Sequence, residues 1–216
     1  MNGSEIIYNI AIWALPVLFA ITLHEAAHGW VANRLGDPTA RMLGRLTLNP
    51  IKHIDPLGTV VIPIILMVVG GFIFGWAKPV PVSPRNLKNP QKDMAIVAAA
   101  GPMSNFLMAI FWLMLMWLTI YVIPHGWLTQ PLVLMGQAGV TINLILMVLN
   151  LLPLPPLDGG RVVSGFLPPA MADSYNRIEP YGIWILLLLL VTGILGKIIW
   201  PIVLGLGNIL YSVFSV

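Results

Sequence analysis

Two stretches of this chain, residues 94–123 and 131–152, contain no Lys, Arg, Asp or Glu, and each is long enough to cross the hydrocarbon core of a bilayer as a helix. Three further apolar stretches lie at 6–34, 57–77 and 181–216. In lipid no water is available to the peptide groups, so a spanning segment must satisfy its own backbone, and apolar runs of this length do so as helices. The expected fold is an all-α polytopic membrane protein of about five to six membrane segments, one of them a candidate for re-entry, with short extended segments near the active site. Composition agrees, since 58% of residues are hydrophobic, 9% are charged and the mean hydropathy is +0.89. A soluble domain carries about a quarter charged residues. We expect one membrane-embedded domain over residues 1–216, with a core at 6–165 and further membrane segments in 181–216.

Inside the first apolar stretch stands His24-Glu25-Ala26-Ala27-His28. On a helix, His24 and His28 lie one turn apart on one face, so both imidazoles can hold one metal ion while Glu25 reaches a water beside it. Ionisable residues are costly in a membrane helix and mark function when they occur there. This pattern belongs to zinc hydrolases, in which one catalytic Zn2+ activates water and the glutamate moves the proton. The chain has no cysteine, which excludes disulfides, thiolate metal sites and a cysteine nucleophile.

Charge sets the expected topology. Arg34, Arg41, Arg45 and Lys52 follow the first helix, and Lys78, Arg85, Lys88 and Lys92 precede the helix at 94–123. Basic residues mark the cytoplasmic side, which puts the N-terminus outside. A single crossing by residues 57–77 would place the two basic stretches on opposite sides, a conflict that a re-entrant segment removes; a plain span has sufficient length and remains the alternative. No signal-peptide cleavage is expected at the N-terminus. Residues 94–123 and 131–152 should form an antiparallel hairpin, and 181–216 either two spans or one span and an interfacial helix. The net charge of +3 is small and lies between membrane segments, so the expected partners are the lipid bilayer and no nucleic acid.

Catalytic zinc usually has three protein ligands and an open position. Asp158, Asp55, His53 and His125 are the candidates for the third. Asp158 leads, because Pro155-Pro156 deny helix before it and Gly159-Gly160 permit a tight turn after it. Spacing alone does not separate that role from capping of the following helix.

The HExxH motif at 24–28, Gly101-Pro102-Met103-Ser104-Asn105, and Asn150 through Leu157-Asp158-Gly159 occur in an order that resembles the site-2 protease family of intramembrane zinc metalloproteases. The likeness covers about residues 10–165 and is nearest the short bacterial and archaeal branch, with Leu46-Thr47-Leu48-Asn49-Pro50 and His53-Ile54-Asp55-Pro56 after the zinc helix. It implies zinc on His24, His28 and Asp158, with Glu25 as general base and acid. It also nominates Asn105 to hold the substrate or the oxyanion, against the simpler role of bridging helices. Asn150 would orient the Asp158 loop or satisfy carbonyls freed near Pro153. Many relatives carry a PDZ domain or a nucleotide-binding regulatory domain, and neither is expected here.

The expected function is therefore regulated intramembrane proteolysis, the hydrolysis of a peptide bond in or beside the transmembrane segment of another membrane protein. Its expected place is the cell membrane, multi-pass, with the active site toward the cytoplasm. The rival is a non-enzymatic metal-binding protein or metal transporter using the same three ligands. A carrier gives Glu25 no task and would favour midplane ligands in repeated broken helices. To expose a peptide bond the substrate helix must unwind, and residues 45–49 or 78–83 are candidates to pair its backbone, 45–49 being the better donor edge because Pro79 and Pro81 lack amide hydrogens.

Overall fold

The computed structural model describes residues 3–61, 77–124 and 126–215. Most of the re-entrant candidate, residues 62–76, and the candidate ligand His125 lie outside them. Within the described residues the chain is helical and forms no strand. The helices are α1 (Gly3–Arg34), a short α2 (Thr39–Met42), α3 (Pro90–Tyr121), α4 (Thr129–Asn150), α5 (Asp158–Phe166), α6 (Pro169–Asn176), α7 (Glu179–Val191) and α8 (Ile194–Phe214). Four of them, α1, α3, α4 and α8, are long and apolar enough to cross a membrane.

The C-terminal stretch resolves into one helix of spanning length, the 21-residue α8, and the 13-residue α7, which at 1.5 Å per residue covers only about 20 Å. Gly193, at φ 72°, separates them. In the left-handed region an L side chain is strained and glycine is not, so the helix breaks there.

Helix α3 is the centre of the bundle, packing on α1, α4, α5 and α8. Its expected hairpin with α4 is present, and their shared core contains Trp112, Leu113, Met116, Val140 and Leu144. Helix α8 closes it with Leu195, Ile199 and Val203, four residues apart and so on one face. In lipid, where tails are as apolar as leucine, such close packing rather than hydrophobic transfer holds helices together.

The Tyr121 hydroxyl donates to the Ser215 carbonyl at 2.8 Å, so the chain's C-terminal end lies at the same end of the bundle as the α3–α4 connection. Four spans then alternate in direction, and the α1 C-terminus, the α3 N-terminus and the start of α5 share the other end. Every Lys and Arg before α4 lies between Arg34 and Lys92, and neither residues 1–33 nor 93–160 contain one.

At that basic end, Gly36, with φ 111°, terminates α1, and the Asp37 amide returns to the Ala32 carbonyl at 2.9 Å. Asp37 is fully buried. Its carboxylate accepts from the Ser83 amide at 2.6 Å, the Asn86 side-chain amide at 2.8 Å and the Thr39 amide and hydroxyl, tying residues 83–86 to the end of α1. Burial works to raise this carboxyl's pKa, but the hydrogen bonds from Asn86, Thr39 and Ser83 outweigh it and hold it below the ordinary value.

Candidate metal centre

Helix α1 presents His24 and His28 one turn apart toward the start of α5. There Asp158 is the first helical residue, and its Oδ2 is buried without a hydrogen bond. Instead that oxygen stands 3.1 Å from His24 Nε2 and 3.3 Å from His28 Nε2, while the two Nε2 atoms are 3.1 Å apart. Ligand atoms at the corners of a tetrahedron around zinc, each about 2.0–2.1 Å from it, are about 3.3 Å from one another. The triangle of donor atoms has that size, and these residues fit a zinc ion.

The outer nitrogens explain which lone pairs converge. His28 Nδ1 donates to the Val97 carbonyl at 2.7 Å, and His24 Nδ1 donates to Asn105 Oδ1 at 2.7 Å. The Asn105 amide is oriented by its own donations, from Nδ2 to the Ala20 carbonyl at 3.2 Å and to Asn143 Oδ1 at 3.0 Å, and Asn143 in turn donates to the Gly139 carbonyl at 2.8 Å. With both Nδ1 positions protonated, neutral imidazoles turn bare Nε2 lone pairs toward one another and toward a carboxylate. Such a centre needs a cation, and a divalent ion supplies charge to match the anion and three lone pairs at once.

Gly101 lets α3 come this close. A Cβ there would overlap His28 Nε2 and lie 2.6 Å from His24 Cε1.

The centre opens on a cleft of about 180 Å3 that Glu25, Asn150 and Arg161 also line. Glu25 Oε2 accepts from the Val80 amide at 2.8 Å. Asn150 donates to the Leu146 carbonyl at 3.0 Å. A larger apolar groove of about 400 Å3 lies against another face of α1, between Leu23, Ala26 and Trp30 and the loop residues Leu46 and Leu48. It carries no titratable group, and the chemistry belongs to the smaller cleft.

The structure thus brings His24, Glu25, His28 and Asp158 together. Asn105 is fully buried, does not line the cleft and contacts the site through His24. His53, also buried, bonds the Thr47 carbonyl through Nε2 at 2.9 Å, and Asp55 accepts from the amides of Leu57 and Gly58. Neither joins the metal group. Residues 45–49 form no strand; the Arg45 amide bonds Ala40 and the Asn49 amide bonds the Thr47 hydroxyl. Sequence reasoning missed Asn143, Asp37 and the Val80 amide. Asn143 carried a signal, a lone amide in an apolar helix, which lipid makes costly unless it is paired.

A model of the family described as Peptidase family M50 matches residues 12–125 and 120–193. A Bacillus subtilis protein with the provisional name zinc metalloprotease YwhC is 37% identical over 208 residues, 93% of this chain and 90% of that protein. A Mycolicibacterium smegmatis protein, provisionally named zinc metalloprotease Rip2, is 31% identical over 182 residues, 83% of this chain and 66% of its own length. The Regulator of sigma-E protease RseP of Escherichia coli is 32% identical over 111 residues, 49% of this chain and 24% of RseP. No solved structure is a significant match.

Proposed function

Because the chain belongs to Peptidase family M50 and is a multi-pass membrane zinc metalloprotease, we propose that it hydrolyses peptide bonds in or beside the transmembrane segment of another membrane protein. The observation that carries this reading is the triangle of His24, His28 and Asp158 opening on a cleft shared with Glu25. Together these residues supply a metal seat and a second carboxylate outside the group of ligands, which carriage of an ion would not require.

In this mechanism His24, His28 and Asp158 would hold the ion at the wall of the cleft. When bound, the ion would supply a Lewis acid able to polarise a carbonyl and to lower the pKa of water to near neutral. Glu25 takes the proton of the attacking water as its oxygen bonds to the carbonyl carbon, and returns it to the amide nitrogen as the C–N bond breaks. Asn105 acts through His24: its Oδ1 keeps the proton on Nδ1, and so keeps Nε2 free to ligate. The whole of residues 1–216 is proposed to serve as one membrane-embedded protease domain.

Charge gives the proposed orientation. The basic residues gather at the end of the bundle that carries the metal centre, while the α3–α4 connection and both ends of the chain carry none, so the site faces the cytoplasm and the N-terminus lies outside. The test is proteolysis of candidate single-span membrane proteins by purified protein, with and without chelator. A new terminus within or beside the span that appears only with zinc is expected. Zinc uptake into sealed vesicles with no cleavage of any substrate would favour a carrier.

A further inference from the structure

The stretch Lys78-Pro79-Val80-Pro81-Val82-Ser83-Pro84 runs beside the metal cleft, with Pro79, Val80 and Val82 among its walls. Proline fixes φ, lacks an amide hydrogen and drives the residue before it into extended backbone. Lys78, Val80 and Ser83 each precede a proline, and Ser83 shows the result at φ −101° and ψ 106°. Across residues 79–81 one N–H remains, that of Val80, and it donates to Glu25 Oε2 at 2.8 Å.

The segment is fixed on both sides of this bond. On one side the Lys78 amide donates to the His53 carbonyl at 2.9 Å, and Arg45 Nη2 donates to the carbonyls of Lys78 at 2.8 Å and Pro79 at 3.3 Å. On the other the Ser83 amide donates to Asp37 at 2.6 Å. The Val80 side chain is buried against Gly29, one helical turn beyond Glu25, where an added Cβ would lie 2.9 Å from Val80 Cγ1. Gly29 is thus the notch that lets this backbone reach the carboxylate.

We propose that Val80 is a positioning residue for hydrolysis, its backbone N–H holding the Glu25 carboxylate in the orientation that receives the proton of water, with Arg45 and Asp37 as the clamps that keep that N–H in place. One carboxylate oxygen is fixed and the other is left to the reaction. Alternate prolines serve this by removing every neighbouring donor, which also leaves residues 79–81 no N–H with which to pair an unwound substrate. The proposal rests on the role given to Glu25 above.

The test replaces Val80 by its α-hydroxy acid through nonsense suppression, turning one amide into an ester that lacks the hydrogen and keeps the side chain. Zinc content and KM for a transmembrane substrate are expected to stay as in the unmodified protein, while kcat falls about ten- to a hundredfold, the range for a hydrogen bond to a charged group. Val80→Ala, which retains the N–H, should recover most of that loss. A readout independent of activity is hydrogen exchange at Val80, expected to speed up at least about tenfold in Glu25→Ala. An ester protein with unreduced kcat, or one that loses zinc or substrate affinity in step with kcat, would overturn the proposal. Full activity in Glu25→Gln would overturn the assignment of the base itself, and with it this inference; an inactive Glu25→Gln beside an unimpaired ester would overturn this inference alone.

Discussion

His24 Nδ1 and Asn105 Oδ1 lie 2.7 Å apart, and the Asn105 amide cannot turn over without breaking its bonds to the Ala20 carbonyl and Asn143. If it did turn, a donor would face His24, the imidazole proton would move to Nε2, and that nitrogen could not bind a metal. Asn105→Ala should therefore weaken zinc binding about ten- to a hundredfold, as loss of an outer partner of a metal-bound histidine does. Asn143→Leu should produce a smaller loss in the same direction. Competition with a chelating dye measures both, and zinc affinity unaltered in Asn105→Ala would return Asn105 to a plain helix bridge.

The buried carboxylate of Asp37 gives a dependence on pH. Its pKa is lower in the folded protein than the ordinary 3.8, so its stabilisation is complete above about pH 4 and is lost as pH falls through the folded value. Asp37→Ala leaves the Ser83 and Asn86 donors unpaired and should cost about 1–3 kcal/mol at neutral pH. The difference in thermal stability between the two proteins in detergent should be constant from pH 5 to 7 and narrow below about pH 4. A difference that widened on acidification would contradict the assignment.

Topology can be read from a chain without cysteine. Gly126→Cys, at a site where an added Cβ meets nothing within 4 Å, should label from outside in sealed cells, and Lys88→Cys only after the membrane is opened. Labelling of both from outside would reverse the orientation proposed for the active site.

The residues that the proposed chemistry uses were the legible ones. His24, Glu25 and His28 are spaced by the helix itself, and Asp158 follows two prolines, but the expected turn after it is absent: Gly159 and Gly160 are helical and lie against the backbone of Leu151 and Pro155. The hairpin of α3 and α4 was legible for a similar reason, since uninterrupted apolar runs leave lipid-embedded backbone no alternative to helix. The break between α7 and α8 was not, because Gly193 is one of several glycines in a largely apolar stretch and only its positive φ distinguishes it. Asp37 looked like one charge in a polar loop. Its partners Ser83 and Asn86 lie far along the chain, and one of them is a backbone amide that side-chain patterns do not record. The Val80 amide was hidden for that same reason, although the flanking prolines showed that it would be the lone donor.

In the proposed mechanism one carboxylate, Asp158, holds the metal while another, Glu25, moves the proton. Zinc content and cleavage rate, measured on the same purified preparations of Glu25→Gln and Asp158→Ala, separate the two roles. Glu25→Gln should retain about one zinc per chain and lose about a hundred- to ten-thousandfold in cleavage rate, whereas Asp158→Ala should lose both metal and activity. Full cleavage by Glu25→Gln, or undiminished zinc in Asp158→Ala, would contradict it.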